Sequence, residues 1–182
     1  MPRPSLSSST NKAVGDRIYY LELFKMFTKN KVRYLVVGGL GVLLHGVPRV
    51  THDIDIIVSM DSDNITKLNR ALLALGYVPR LPVDPNDLSD PKKVTVWIGE
   101  RNLKAFSFYN KADPYKVVDV LLVHGLDFDR SFKGRTRKKI EGVMVNLISI
   151  DDLIEMKRRV GRPQDQDDVE MLSKIKKLSG GG

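Results

Sequence analysis

The stretch Asp53-Ile54-Asp55-Ile56-Ile57-Val58 constrains this chain more than any other. Its branched apolar residues mark a strand, yet aspartate, a poor strand former, opens it twice. Side chains at i and i+2 of a strand point to one face. The two carboxylates therefore project together, while Ile54 and Ile56 go to the other face. Facing carboxylates raise each other's proton affinity, and a divalent cation relieves the repulsion. Mg²⁺ takes oxygen ligands, commonly one or two carboxylates plus substrate phosphates. A solvated strand edge is the alternative, because Asp-x-Asp alone is common. Asp119 repeats the pattern as the only polar residue in the run 117–123. A buried carboxylate must be paired, hydrogen-bonded or metal-bound. If the two strands are neighbours, three carboxylates meet: two to hold metal, the third to hold a second metal or take a proton from an attacking hydroxyl. A salt bridge from Asp119 to a lysine or arginine is the competing reading.

Around these strands the chain alternates between helical and extended patterns. Ile18, Leu21, Phe24 and Phe27 predict an amphipathic helix over 15–29. A strand over 33–37 runs into Gly38-Gly39, and a short helix over 40–45 ends near Gly46. Asp61, Ser62 or Asp63 caps a helix over 63–75, which Gly76 ends. Residues 79–91, rich in proline and aspartate, read as a loop. Further strands are expected at 94–98, 105–108 and 117–123, and another at 139–146 that turns at Glu141-Gly142 as a hairpin. Ser149, Asp151 or Asp152 caps a helix over 151–159. Gly161-Arg162-Pro163 breaks it, and a last helix covers 164–177. This order predicts an α/β or α+β domain with a mixed β-sheet flanked by helices. It spans 14–178, with the helices over 151–177 packed on it, between flexible ends at 1–13 and 179–182.

Composition narrows the chemistry. The 182 residues carry 30 Lys+Arg against 22 Asp+Glu, a formal charge of +8, which favours anionic partners such as nucleoside phosphates or nucleic acid. There is no cysteine and there are three histidines, which excludes thiolate chemistry and cysteine-based zinc or iron–sulfur sites. The available metal ligands are hard oxygens, so Mg²⁺ (or Mn²⁺) is the expected cofactor. No run is apolar and long enough to span a membrane. With neither a signal-peptide pattern at the N-terminus nor cysteine, a cytoplasmic protein is expected. Lys133 to Lys139 concentrates five positive charges. It reads as a solvated hairpin or loop, or as a phosphate-backbone contact for RNA. Trp97, Phe106 and Phe108 read as core or pocket wall. His52 and His124 read as ordinary polar residues or as metal or phosphate contacts.

Gly38-Gly39, between a strand and a helix, is either a plain turn or a place where backbone N–H groups approach a phosphate. The spacing fits neither a Walker loop nor a dinucleotide fingerprint. Taken together, Gly38-Gly39, Asp53-x-Asp55 and an acid on a later strand resemble the nucleotidyltransferase superfamily. The string holding Gly38, Gly39, His45, Gly46, Arg49, Thr51, Asp53 and Asp55 fixes eight positions within 18 residues. It is similar to the small AbiEii-like nucleotidyltransferases, often toxin–antitoxin components. The C-terminal segments Asp152 to Lys157 and Gly161 to Asp168 look like that group's Leu-Ile-x-x-Lys and Arg-x-x-Asp-x-x-Asp. Gly39 stands where the superfamily often has serine.

The resemblance implies a nucleotidyltransferase-like fold and an enzyme that moves a nucleoside monophosphate from an NTP such as ATP to an acceptor hydroxyl. The acceptor is RNA (tRNA among the possibilities), a protein or a small molecule, and a cognate protein is a possible partner. Asp53, Asp55 and Asp119 are the expected catalytic and metal-binding residues. Gly38, Gly39, Arg49, Thr51, Lys157 and Arg162 are the expected phosphate-binding ones. Asp165 and Asp168 share a helix face, where they either cap and pair with Lys157 or Arg162 or act directly in catalysis. Two other functions stay open: a catalytically silent nucleotide- or partner-binding module, and a metal-dependent phosphohydrolase.

Overall fold

A computed structural model describes residues 20–179. The sequence expectations for 1–13, 14–19 and 180–182 lie outside the described residues. The helix expected over 15–29 is present over 20–29 (α1). It is followed by β1 (Tyr34–Val36), α2 (Gly38–Leu44), β2 (Ile54–Val58), α3 (Ser62–Ala74) and β3 (Tyr77–Pro79). Then come a 3₁₀ turn (Pro85–Ser89), α4 (Pro91–Arg101), β4 (Ala105–Asn110), β5 (Val117–Leu121), α5 (Phe128–Lys133), β6 (Thr136–Ile140), β7 (Val143–Leu147), α6 (Ile150–Val160) and α7 (Pro163–Ser179).

The seven strands form one mixed sheet in the order β3-β4-β5-β2-β1-β7-β6. β2 runs antiparallel to β1 and parallel to β5, and β1 runs parallel to β7. Strand alternation divides the apolar residues into two cores. On one face Tyr34, Val36, Ile54, Ile56, Phe106, Phe108, Val118 and Val120 pack against Phe24 and Phe27 of α1, the Ile65/Leu68/Leu72 stripe of α3 and Trp97 of α4. On the other face Leu35, Val37 and Ile57 pack against Val42 of α2, Leu153 and Ile154 of α6 and Leu172 of α7. Asp55 has the parity of Ile57, so it belongs to the face that α6 and α7 partly cover.

Local chemistry sets most boundaries. The Asp61 side chain accepts from the Asn64 N–H and caps α3, and the Ser149 hydroxyl does the same for α6 through Asp152, as side-chain acceptors at helix starts should. Gly161 closes α6 at φ 68°, in the left-handed region. The β6–β7 hairpin turns at Glu141 and Gly142, both at positive φ, as a two-residue turn with the right twist requires.

The structure corrects three expectations. Residues 94–98 are helical, inside α4. Asp90 caps that helix, accepting from the Lys92 and Lys93 N–H groups, and Pro91 occupies its first turn. These start signals outweigh the β-branched alternation of Val94-Thr95-Val96. Residues 79–91 hold the end of β3 and the 3₁₀ turn, which buries Leu88. The basic run, expected as a solvated hairpin or loop, holds the end of α5 and the exposed edge strand β6 of the β6–β7 hairpin, where charge discourages further strand pairing. Finally, α7 reaches Ser179, so the expected flexible end begins inside a helix.

Candidate active site

Strand register brings the acids together. Asp55 is the direct partner of Asp119 in the parallel β2–β5 pair, and cross-strand partners share a face. Asp53 lies two residues before Asp55, just ahead of the strand, and is exposed. Burial, then the charges of Asp119 and Asp53, push the Asp55 carboxyl up to about 6, against the opposing Lys157 charge and the Gly39 N–H. Burial also raises the Asp119 carboxyl; the Ser107 side chain opposes this, Asp53 adds to it and Arg80 opposes it. One Asp119 oxygen, Oδ1, is buried with no hydrogen-bond partner. The salt-bridge alternative for Asp119 is absent among the described residues, since no ion pair to it forms.

The glycine pair fits against this centre because it has no side chains. Gly38 adopts φ +59°, and a Cβ there would lie 2.6 Å from Cγ of Asp55. A Cβ on Gly39 would lie 2.8 Å from Oγ1 of Thr51 and 3.1 Å from Nε of Arg49. Positive φ and the Asp55 side chain require glycine at 38, whereas a side chain at 39 would need Thr51 and Arg49 to shift. The Thr51 hydroxyl donates to the Asp53 carbonyl at 3.2 Å, and the Tyr20 hydroxyl donates to the Thr51 carbonyl. These bonds tie the segment ahead of Asp53 to α1.

Behind the acids lies a buried charge cluster. Lys157 of α6 donates to Asp165 at 2.8 Å and pairs with Asp168 at 2.9 Å. Asp168 also pairs with Arg49, and Arg162 Nε donates to Asp165 at 2.8 Å. The Lys157, Asp165 and Asp168 side chains are 7%, 1% and 7% exposed, whereas Arg162 is 70% exposed. Asp165 and Asp168 thus pair with Lys157, Arg162 and Arg49, and the Lys157 and Arg162 charges act on Asp55. Burial works against the Asp165 carboxylate, but hydrogen bonds from Arg162 and Lys157 hold it below the ordinary range.

Other candidates sit elsewhere. The His45 ring nitrogen Nε2 bonds the Ile148 carbonyl at 2.8 Å, which anchors α2 to the start of α6. Trp97 is buried against Phe106, as core. Within the basic run, Arg135 stacks on Phe132 at 3.9 Å and donates to Asn146, and Lys138 donates to the Leu44 carbonyl. A cavity of about 510 Å³ opens between α1 and α2, lined by Phe24, Leu40, Leu44 and Ile140, with Arg49, Thr51 and His52 at its rim. Sequence alone does not show Ser107 next to Asp119 or Arg80 one strand further out. Arg80 lies in the proline-rich stretch, and only strand pairing reveals its place.

Among the described residues no three His, Asp or Glu side chains stand ready to hold a metal ion unaided. The donor set still fits a hard divalent cation. Asp55 and Asp119 are strand partners on one face, the Asp53 charge acts on both, one buried oxygen lacks a partner, and there is no cysteine. Two carboxylates completed by substrate phosphates match the usual habit of Mg²⁺.

No helix among the described residues is long and apolar enough to cross a membrane. No curated protein matches the chain. Several solved structures share its fold. The lincosamide antibiotic adenylyltransferase LnuA, lincomycin-bound, aligns at 18% identity and TM-score 0.56 over 87% of this chain and 96% of its own. ANT(2")-Ia in complex with adenylyl-2"-tobramycin aligns at 13% identity and TM-score 0.54, covering 89% and 93%. An antigenic nucleotidyltransferase-like protein from Paracoccidioides brasiliensis aligns at 15% identity and TM-score 0.53, covering 90% and 77%. At these identities the likeness shows the fold alone. A family model described as "Nucleotidyltransferase of unknown function (DUF6036)" matches residues 20–179, every residue the structure describes. The chain therefore belongs to this family of nucleotidyltransferases.

Proposed function

We propose that the protein transfers a nucleoside monophosphate from an NTP to an acceptor hydroxyl, with Mg²⁺ or Mn²⁺ as cofactor, at the site built by Asp53, Asp55 and Asp119. The observation that carries the reading is the meeting of Asp55 and Asp119 across adjacent strands, against Gly38 and beside Lys157.

Asp53 and Asp55 would hold the metal, which when bound neutralises phosphate charge. The triphosphate would lie along the start of α2 at Gly38 and Gly39, whose missing side chains let Asp55, Thr51 and Arg49 close in. Lys157, fixed by two carboxylates, presents its charge towards Asp55, and the exposed Arg162 guanidinium can fold over a phosphate in a two-point contact. Arg49 and Thr51 close the same edge over Gly39. Asp119, whose proton affinity is raised, takes the proton of the acceptor hydroxyl. That oxygen attacks the α-phosphorus, a new P–O bond forms, the bond to the β-phosphate oxygen breaks and pyrophosphate leaves. Positioning and electrostatics do most of such catalysis. ATP is the first donor to try, because LnuA is an adenylyltransferase and ANT(2")-Ia was crystallised with an adenylylated product. A toxin–antitoxin role is supported by the sequence motif string alone.

Incubation with α-labelled NTPs, Mg²⁺ and a panel of RNA, protein and small-molecule hydroxyls tests the reading. Label on an acceptor with release of pyrophosphate, lost in Asp53→Ala, supports it. Hydrolysis to a free nucleotide alone favours the phosphohydrolase. Binding without turnover that survives Asp55→Asn favours the silent module.

A further inference from the structure

On the face that carries Asp55, helices α6 and α7 pack over β1 and β2 and reach Leu121 at the end of β5, but no residue of β3 or β4 joins that core. There Val78, Ser107, Tyr109 and Asp119 are half-buried, whereas Tyr77, Phe106, Phe108, Val118 and Val120 on the opposite face are buried. The uncovered strands align their residues in a row. Asp55 pairs with Asp119, and Asp119 pairs with Ser107. The β3–β4 register matches Val78 to Tyr109 and Pro79 to Phe108, and the Arg80 N–H donates to the Ser107 carbonyl at 2.9 Å. Arg80, Ser107, Asp119 and Asp55 therefore stand side by side on one face. Two strand spacings separate the Arg80 backbone from that of Asp119, roughly 10 Å. The Arg80 side chain is exposed and, among the described residues, forms no ion pair. Its charge still reaches Asp119. An exposed guanidinium without an ion pair among the described residues thus stands on the same sheet face as Asp119, whose Oδ1 is buried and lacks a hydrogen-bond partner.

We propose that Arg80 is a specificity-determining residue for the acceptor, and that the acceptor bears a phosphate beside the hydroxyl that Asp119 faces. This rests on the nucleotidyl-transfer reading above, in which the acceptor lies at Asp119. A guanidinium is a rigid fork whose paired donors match two phosphate oxygens. On an exposed sheet surface an unpaired arginine favours anionic molecules and repels cationic ones. The phosphate belongs either to a free sugar phosphate or to the last linkage of an oligonucleotide, and the same guanidinium serves both.

The test titrates the full chain with ribose, ribose 5-phosphate and a dinucleotide with a free 3′-hydroxyl. Each titration is run with and without Mg²⁺ and a non-hydrolysable ATP analogue. Either phosphate ligand should bind about tenfold or more tighter than ribose, a difference of about 1.4 kcal/mol. Arg80→Ala should erase that preference and Arg80→Lys should keep part of it. The ATP analogue should bind all three proteins alike. Preference for the dinucleotide identifies an oligonucleotide end, and equal binding of both identifies the sugar phosphate as sufficient. Ribose binding as well as its phosphate, or a preference that survives Arg80→Ala, overturns the proposal. So does a loss of ATP-analogue affinity in Arg80→Ala, which would move Arg80 to the donor. If the analogue fails to bind the wild type, the nucleotidyl-transfer reading fails instead, and the titrations without nucleotide still decide the role of Arg80.

Discussion

Replacing Asp168 strikes the point where the charge cluster is most tightly knotted. Asp168 touches both Lys157, at 2.9 Å, and Arg49. Removing one partner of a buried ion pair usually costs ~3–5 kcal/mol, because a charge is left uncompensated. Here Lys157 keeps Asp165 at 2.8 Å, so its share is one charge-assisted hydrogen bond, about 1.5–3 kcal/mol. The Arg49 side chain is 15% exposed and can turn partly to water, although its Nε is already buried without a partner. The sum for Asp168→Ala is about 3 kcal/mol, below the full penalty because Asp165 remains. For a chain of this size that lowers Tm by roughly 6–12 °C. Urea unfolding followed by circular dichroism measures it, with a double-mutant cycle against Arg49→Ala to isolate the pair. The coupling should be about 1–3 kcal/mol. A loss under about 1 kcal/mol for Asp168→Ala, or strict additivity with Arg49→Ala, refutes the knot. NTP binding should weaken in the same variant, because Lys157 loses one of its two anchors.

Other consequences are open to measurement. Gly38→Ala places a methyl group against Asp55 and forces an unfavourable positive φ, so it should cost about 1–3 kcal/mol and weaken metal-nucleotide binding in titration calorimetry. Asp55 is pushed up to about 6 in the metal-free fold. The folded state then holds its proton more tightly than the unfolded chain, so stability should fall as pH rises from about 4 to 6, by up to about 3 kcal/mol. Urea midpoints taken in EDTA should show that slope, and Asp55→Asn should flatten it; an unchanged slope in the variant would assign the pH dependence to another group. Trp97→Ala empties the contact between α4 and Phe106 and should cost about 3–5 kcal/mol in the same unfolding assay while sparing nucleotide affinity. An intact midpoint would show that α4 is not part of the core.

Sequence patterning located the elements that carry the site better than those that surround it. As candidates, Asp55 and Asp119 were legible because each breaks an apolar strand, and Asp53 because it stands just ahead of one; such a break needs a physical reason. The pairing of Asp165 and Asp168 with Lys157 and Arg162 was legible as one of two readings, because i and i+3 on a helix share a face. That Asp168 also reaches Arg49 was hidden, since 119 residues separate them. Val94-Thr95-Val96 misled because its alternation suits a strand, while the deciding signal, Asp90-Pro91, sat inside a stretch read as a loop. Strand β3 has three residues and ends in proline, and α5 has six, both too short for a period to show. Arg80 was invisible for the same reason: it follows β3, and only the pairing of that strand with β4 lines it up with Asp119.

The most direct test of the central claim is the anomalous diffraction of Mn²⁺ in crystals grown with a non-hydrolysable ATP analogue. The account predicts a Mn²⁺ peak held by Asp53 and Asp55, the triphosphate against Gly38 and Gly39, and the α-phosphate on the side facing Asp119. A metal bound away from both aspartates, or a triphosphate seated in the apolar cavity between α1 and α2, would contradict it.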